Sequence, residues 1–199
     1  AVGAEGLLAH YINGYWFSQP TPTPSHLHSV YGTSWDDVLA VGDTGDALHF
    51  NGVIWQLEET GTSKRLLGVW ANSASYYVAV GEGVALARSA GQWSPIDGAP
   101  NTKMNAVWGP NTLEFYAPAS DGRLYHYQNG WTTPIDLGVA EGISLNSISG
   151  TGSDNIWVAG SQGAIFHFDG QSWSRVDQPD LATLYDIHVR EDGHVFAVG

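Results

Sequence analysis

Apolar and polar positions along this chain fall into short blocks rather than a helical period. Segments such as VLAVG, ending at Gly42, and IWVAG, ending at Gly160, are continuously apolar and flanked by glycine, asparagine or aspartate. Runs of that length with those boundaries predict buried β-strands. No segment sustains a 3.6-residue repeat, so the chain reads as all-β.

The blocks return in a fixed order. A first apolar segment opens at Leu27 (LHSVYG), Leu66 (LLGVWA), Met104 (MNAVWG), Leu145 (LNSISG) and Leu184 (LYDIHV), a return every 38 to 41 residues. A second segment ends at Gly42, Gly81, Ala119, Gly160 and Gly199, and a third follows, as in GDALHF, GRLYHY and GAIFHF. A turn comes next, at Asn13-Gly14, Asn51-Gly52, Asn129-Gly130 or Asp169-Gly170, with Ala90-Gly91 as the departure. Asn-Gly and Asp-Gly suit the positive φ angles of a type I′ hairpin. A fourth segment opens on Trp16, Trp55, Trp93, Trp131 or Trp173.

Four short strands per unit at a period near forty predict the blade of a β-propeller. Blades stack face to face, which accounts for second strands that are apolar at every position. Complete units span 27–58, 66–97, 104–136 and 145–177. The ends, 184–199 and 1–18, hold the two halves of another. The expectation is therefore one five-bladed propeller over residues 1–199, its ring closed by pairing of the N- and C-terminal strands, which would also remove free sheet edges. One conflict stands against closure: Ala1-Val2-Gly3 and Ala197-Val198-Gly199 are the same repeat position, and a closed ring has room for one copy.

Composition narrows the partners. With 7 basic and 20 acidic residues the formal charge is −13, which disfavours a phosphate backbone, so no nucleic-acid partner is expected. The absence of an apolar run of membrane-spanning length argues against membrane insertion. Cysteine is absent, which excludes disulfides and thiolate chemistry. A start at Ala1 without methionine or leader fits a processed chain and fits an excerpt equally.

The repeat resembles that of bacterial secreted or surface β-propellers whose blades read L-x-x-V-W-G-x-S-x-x-D-V-x-A-V-G-x-x-G-x-I-x-H-x-D-G-x-x-W; LHSVYGTSWDDVLAVGDTG with LHFNGVIW carries the likeness. The resemblance implies an extracellular or cell-surface setting and no particular activity, since such repeats belong to many proteins of unassigned function. Neither the S-x-D-x-G-x-x-W string of Asp-box propellers nor a blade-ending Trp-Asp of WD40 propellers occurs.

Residues at invariant repeat positions are read as structural. His10, His49, His126 and His167 share the third strand, where neighbouring strands of the kind would stand on the order of 17 Å apart and could not share a metal. Their expected role is a polar bond inside the sheet structure. The carboxylates Glu58, Asp97, Asp136 and Asp177 follow each blade tryptophan and read as charges protecting an outer edge. No cofactor is expected; calcium needs six or more oxygens around one ion, and these carboxylates fall in separate blades, so it is unsupported.

Positions where the blades disagree are the candidates for a site. Tyr31, Trp70, Trp108, Ser149 and His188 end the first strands nearest the axis. An asymmetric pocket there would offer aromatic faces and one histidine. Trp35 matches no repeat position and stands in a first-to-second-strand loop beside Asp36 and Asp37. The candidate ligand-binding residues are thus Trp35, Tyr31, Trp70, Trp108 and His188. No G-x-S-x-G elbow, H-E-x-x-H helix or P-loop occurs, and the first strands carry only Asp186 where a glycosidase needs two facing carboxyls, so an enzyme is not expected. The reading is a non-catalytic, lectin-like module with a glycan partner. The alternative is a structural or protein-interaction propeller of a surface assembly, with the loop QPTPTPSH from Gln19 among its contacts.

Overall fold

Each repeat becomes an antiparallel sheet in the computed structural model, which describes residues 1–176 and 182–199. The N-terminal half-repeat is a hairpin of β1 (Ala9–Ile12) and β2 (Tyr15–Ser18). Blade I follows as β3 (Leu27–Ser34), β4 (Asp37–Gly42), β5 (Ala47–Phe50) and β6 (Trp55–Glu58). Blade II is β7 (Leu66–Ser73), β8 (Tyr76–Gly81), β9 (Val84–Ser89) and β10 (Gln92–Pro95). Blade III comprises β11 (Trp108–Asn111), β12 (Glu114–Pro118), β13 (Arg123–Gln128) and β14 (Ile135–Asp136), and blade IV β15 (Leu145–Gly152), β16 (Asn155–Gly160), β17 (Ile165–Phe168) and β18 (Trp173–Arg175). The chain ends on β19 (Asp186–Val189) paired with β20 (Val195–Val198). Two compact units divide it, Ala1–Ile96 and Asp97–Gly199.

The second strands are buried over most of their length. Leu39 and Val41 of β4 pack with Leu66, Val69, Tyr77 and Ala79 of blade II in the first unit. In the second, Tyr116 and Leu124 pack with Leu145, Ile148, Ile156, Val158 and Phe166. Outer strands are far more exposed, as β6 and β10 show.

A close backbone approach explains the glycine that ends each second strand. A Cβ on Gly42 would stand 2.2 Å from the His26 carbonyl oxygen, on Gly81 1.9 Å from that of Arg65, and on Gly160 2.3 Å from that of Ser144. Blade III has Ala119 instead, and there the first strand is cut short: β11 begins at Trp108, and Met104 keeps only an isolated bridge to Ala119. Pro110, which lacks an amide donor, sits within the same strand.

Two sequence expectations change. Among the described residues there are four four-stranded blades, not five, because β1–β2 and β19–β20 remain separate two-stranded sheets. Each copy of the doubled Ala-Val-Gly pairs within its own end of the chain: Val2 bridges Leu8, Ala1 and Ala9 exchange hydrogen bonds at 2.8 and 2.9 Å, and Val198 pairs with Asp186. The turns also differ. Asn13-Gly14 and Asn129-Gly130 have two positive φ angles, as does the irregular Ala90-Gly91. At Asn51-Gly52 and Asp169-Gly170 only the glycine is positive, and the Asx side chain instead accepts two backbone N–H groups, from Val53 and Ile54 and from Gln171 and Ser172.

Candidate functional site

Three of the four repeated histidines are tied into their own blades by a polar residue diagonally placed on the second strand: His49 Nε2 donates to Asp37 at 2.7 Å, His126 Nε2 to Glu114 at 3.0 Å, and His167 Nε2 to Asn155 at 3.0 Å. Tyr116 stacks on His126 and Trp157 on His167, at 4.3 and 4.2 Å between centroids. Among the described residues no three His, Asp or Glu side chains converge as metal ligands.

Blade II lacks this pair, and a different network takes its place. Ala87 stands where the histidine would be, and the next residue, Arg88, is buried and grips Glu58 of blade I through Nε at 2.7 Å and Nη2 at 2.6 Å. Trp93 Nε1 donates to the same carboxylate at 2.8 Å. Tyr77 lies under the guanidinium and donates its hydroxyl to Asp37 at 2.5 Å. Burial opposes ionisation of Asp37, yet hydrogen bonds from Thr33, Tyr77 and His49 outweigh it and hold this carboxyl below its ordinary value. Burial, reinforced by Asp37, pushes the Tyr77 phenol up, so it stays a donor. Glu58 is therefore an inter-blade anchor and not an edge charge. Asp136 instead turns back to accept the Gly138 N–H, and Asp177 lies outside the described residues.

An open groove lies beside this framework, between the N-terminal hairpin and blade I. Its deeper part is a hollow of about 110 Å³ lined by Leu8, Ala9, His10, Val30, Val38 and Phe50, with Trp35 at its lip. Gln19, Phe50 and Trp55 continue into a wider trough of about 520 Å³ formed with Pro20, Thr21, Pro22, Val53 and Ile54. Trp35 is 76% exposed and Val53 82%, well beyond what a filled core leaves open. The polar groups at the seam are oriented: Trp55 Nε1 donates to Gln19 Oε1 at 2.7 Å, which turns the Gln19 amide nitrogen toward His10 Nδ1 at 3.4 Å. The groove thus presents apolar and aromatic walls with the His10 imidazole among them. No nucleophile stands beside a base there.

Of the five candidate ligand-binding residues only Trp35 lines the groove, together with Gln19, Pro20, Thr21 and Pro22 of the loop that the protein-interaction alternative placed among its contacts. Tyr31, adjacent to Val30, is partly exposed, and burial raises its phenol above the ordinary value. Trp70 is 3% exposed and belongs to the interior of the first unit, so it has no surface to offer a ligand. Trp108 is half-buried over Gly150, where a Cβ would come within 2.6 Å of its indole. Ser149 accepts the Val189 N–H at 3.1 Å, and His188 is exposed on β19. Sequence reasoning missed His10 and Gln19 as neighbours of Trp35. The available signal was the position three residues after the blade tryptophan, Gln19 after Trp16 and Glu58 after Trp55, each of which accepts the next tryptophan's N–H.

No family model matches the chain, and no curated protein matches it in sequence. Solved structures do. A structure of YCF48 bound to D1 peptide superposes with a TM-score of 0.76 at 16% identity, over 100% of this chain and 70% of that one. YCF48 from Cyanidioschyzon merolae gives 0.73 at 16% identity, over 98% and 72%. The WD40 repeats of RRP9 give 0.70 at 10% identity, over 92% and 62%. At such identities the likeness shows the fold, an all-β propeller of four-stranded antiparallel blades.

Proposed function

We propose that this chain is a non-catalytic protein-interaction propeller, and that it holds an extended segment of a partner protein in the groove between the N-terminal hairpin and blade I. The carrying observation is Trp35, which leaves the repeat pattern, stands exposed and forms the lip of an otherwise apolar hollow. Exposed tryptophan beside a preformed pocket is the usual anchor chemistry of protein interfaces. The His10 imidazole in the lining suits a polar group of a peptide backbone, and the trough is open enough for a chain to run through. A similar propeller solved with a peptide bound supports the same reading. The extracellular setting implied by the repeat resemblance is retained in it. A glycan is less well served, because its many hydroxyls need several free donors and acceptors, whereas Gln19 is engaged on both sides.

The test is binding of a displayed library of random dodecapeptides to the whole chain, read by enrichment and then by fluorescence anisotropy. Enrichment of a sequence class that Trp35→Ala abolishes, with an unchanged thermal melt, is the expected result. A glycan array that gives saturable, Trp35-dependent binding while the peptide library gives none would overturn it.

A further inference from the structure

The charge distribution identifies the kind of peptide. All seven lysines and arginines lie from Lys64 onward, while residues 1–63, which build the N-terminal hairpin and blade I, carry seven carboxylates. Some of these are answered internally: Asp43 by Arg65 at 2.7 Å, Glu58 by Arg88, and Asp37 by His49. Asp36 is different. It is exposed, adjoins Trp35, and among the described residues receives only the Ser34 hydroxyl, at 2.6 Å. Its Cβ stands 2.8 Å from where a Cβ on Gly52 would be, so its backbone is fixed against the turn that carries Val53. The Trp35 ring, which lines the groove, lies against the same Gly52 turn, so an indole and a carboxylate flank one turn beside an apolar groove, an arrangement that suits a cation on an apolar stem.

Resting on the peptide-binding reading, we propose that the groove selects basic segments: an extended peptide with an apolar anchor in the trough and an arginine or lysine whose charged head lies over Trp35 against Asp36. Arginine is favoured over lysine, because its planar guanidinium can stack on the indole while its N–H edge meets the carboxylate. The same arrangement, together with the unanswered charge of the whole N-terminal region, disfavours acidic segments.

The experiment uses three fluorescein-labelled peptides that share one Pro- and Leu-containing core and differ only in the flanking residues, Arg, Gln or Glu. Their affinities for the whole chain are measured by anisotropy at low and high salt. The expected order is Arg, then Gln, then Glu, with about tenfold, or about 1.4 kcal/mol, between the first two. That gap should shrink with added salt. Asp36→Asn should reduce the preference for Arg several-fold and leave the Gln peptide unchanged, and Trp35→Ala should weaken both. Equal affinities for the Arg and Gln peptides, still lost with Trp35→Ala, would overturn the charge selection and leave the peptide-binding reading standing. Binding by none of the three, with a folded chain, would overturn both.

Discussion

Replacing Arg88 by phenylalanine removes a guanidinium whose side chain is 7% exposed and leaves Glu58, 17% exposed, with the Trp93 indole as its remaining strong donor. The two bonds lost, at 2.7 and 2.6 Å, are charge-assisted and short. Breaking such a pair from one side costs about 3 kcal/mol, because the surviving half-buried charge keeps only the Trp93 N–H and the His49 ring at 3.7 Å beside it. Glu58→Gln alone should cost a similar amount, now stranding Arg88, which Glu58 holds above its ordinary pKa. The double variant is expected to recover most of the loss, to within about 1 kcal/mol of the parent. The neighbouring sheet shows why. There Gln19 accepts the Trp55 N–H, and Phe50 packs on Trp55 with centroids 5.3 Å apart, so Arg88→Phe with Glu58→Gln rebuilds an arrangement the chain already uses. Urea midpoints for the four proteins, at one pH and with a common slope, measure the coupling. If the double variant is as unstable as the sum of the singles, or if Arg88→Phe costs less than about 1 kcal/mol, the network is not the anchor described here.

Gly81→Ala should destabilise by about 2–3 kcal/mol, read as a lowered thermal midpoint, since its Cβ would stand 1.9 Å from the Arg65 carbonyl oxygen; an unchanged melt would mean that the strand end shifts freely. Asp37 sets part of the acid limit. Its native pKa lies below the ordinary 3.8, so its stabilisation is complete above that value and is lost as pH falls through the native one. Urea midpoints measured from pH 5 to 2 should therefore fall more steeply for the parent than for Asp37→Asn, and parallel curves would refute the assignment.

The blades were legible because their cause is local. Continuous apolar second strands, a glycine under a carbonyl and a tryptophan after the hairpin recur at one period, and the observed register pairs Tyr31 with Leu39, Trp70 with Val78 and Ser149 with Trp157 as the repeat alignment requires. His49, His126 and His167 bond within their blades as their shared repeat position led one to expect, whereas His10 at the same position lines the groove. The groove was legible at Trp35, the residue that breaks the pattern, and at the proline-rich loop from Gln19. Another wall comes from Leu8 and Ala9, a segment that repeat alignment treats as a chain end. Glu58 looked like an edge charge because its partner is thirty residues away in another blade. Ala87-Arg88 in place of the His-aromatic pair of His49-Phe50 was the hint. Turn type at Asn51 and Asp169 escaped because the same side chains that tolerate positive φ can also cap a wider loop.

Stacked repeats usually open one at a time, each held by its own stability and by what it shares with its neighbour. The run of contacts from Trp93 through Glu58, Arg88 and Tyr77 to Asp37 and His49 makes one of those shared terms larger than apolar packing alone would give. Blades I and II should then exchange their amide hydrogens as a single opening unit, while β1 and β2 fray ahead of them. A groove whose one wall is the steadiest pair of sheets in its unit and whose other wall is a two-stranded hairpin can widen on the hairpin side without loosening the side that carries Trp35.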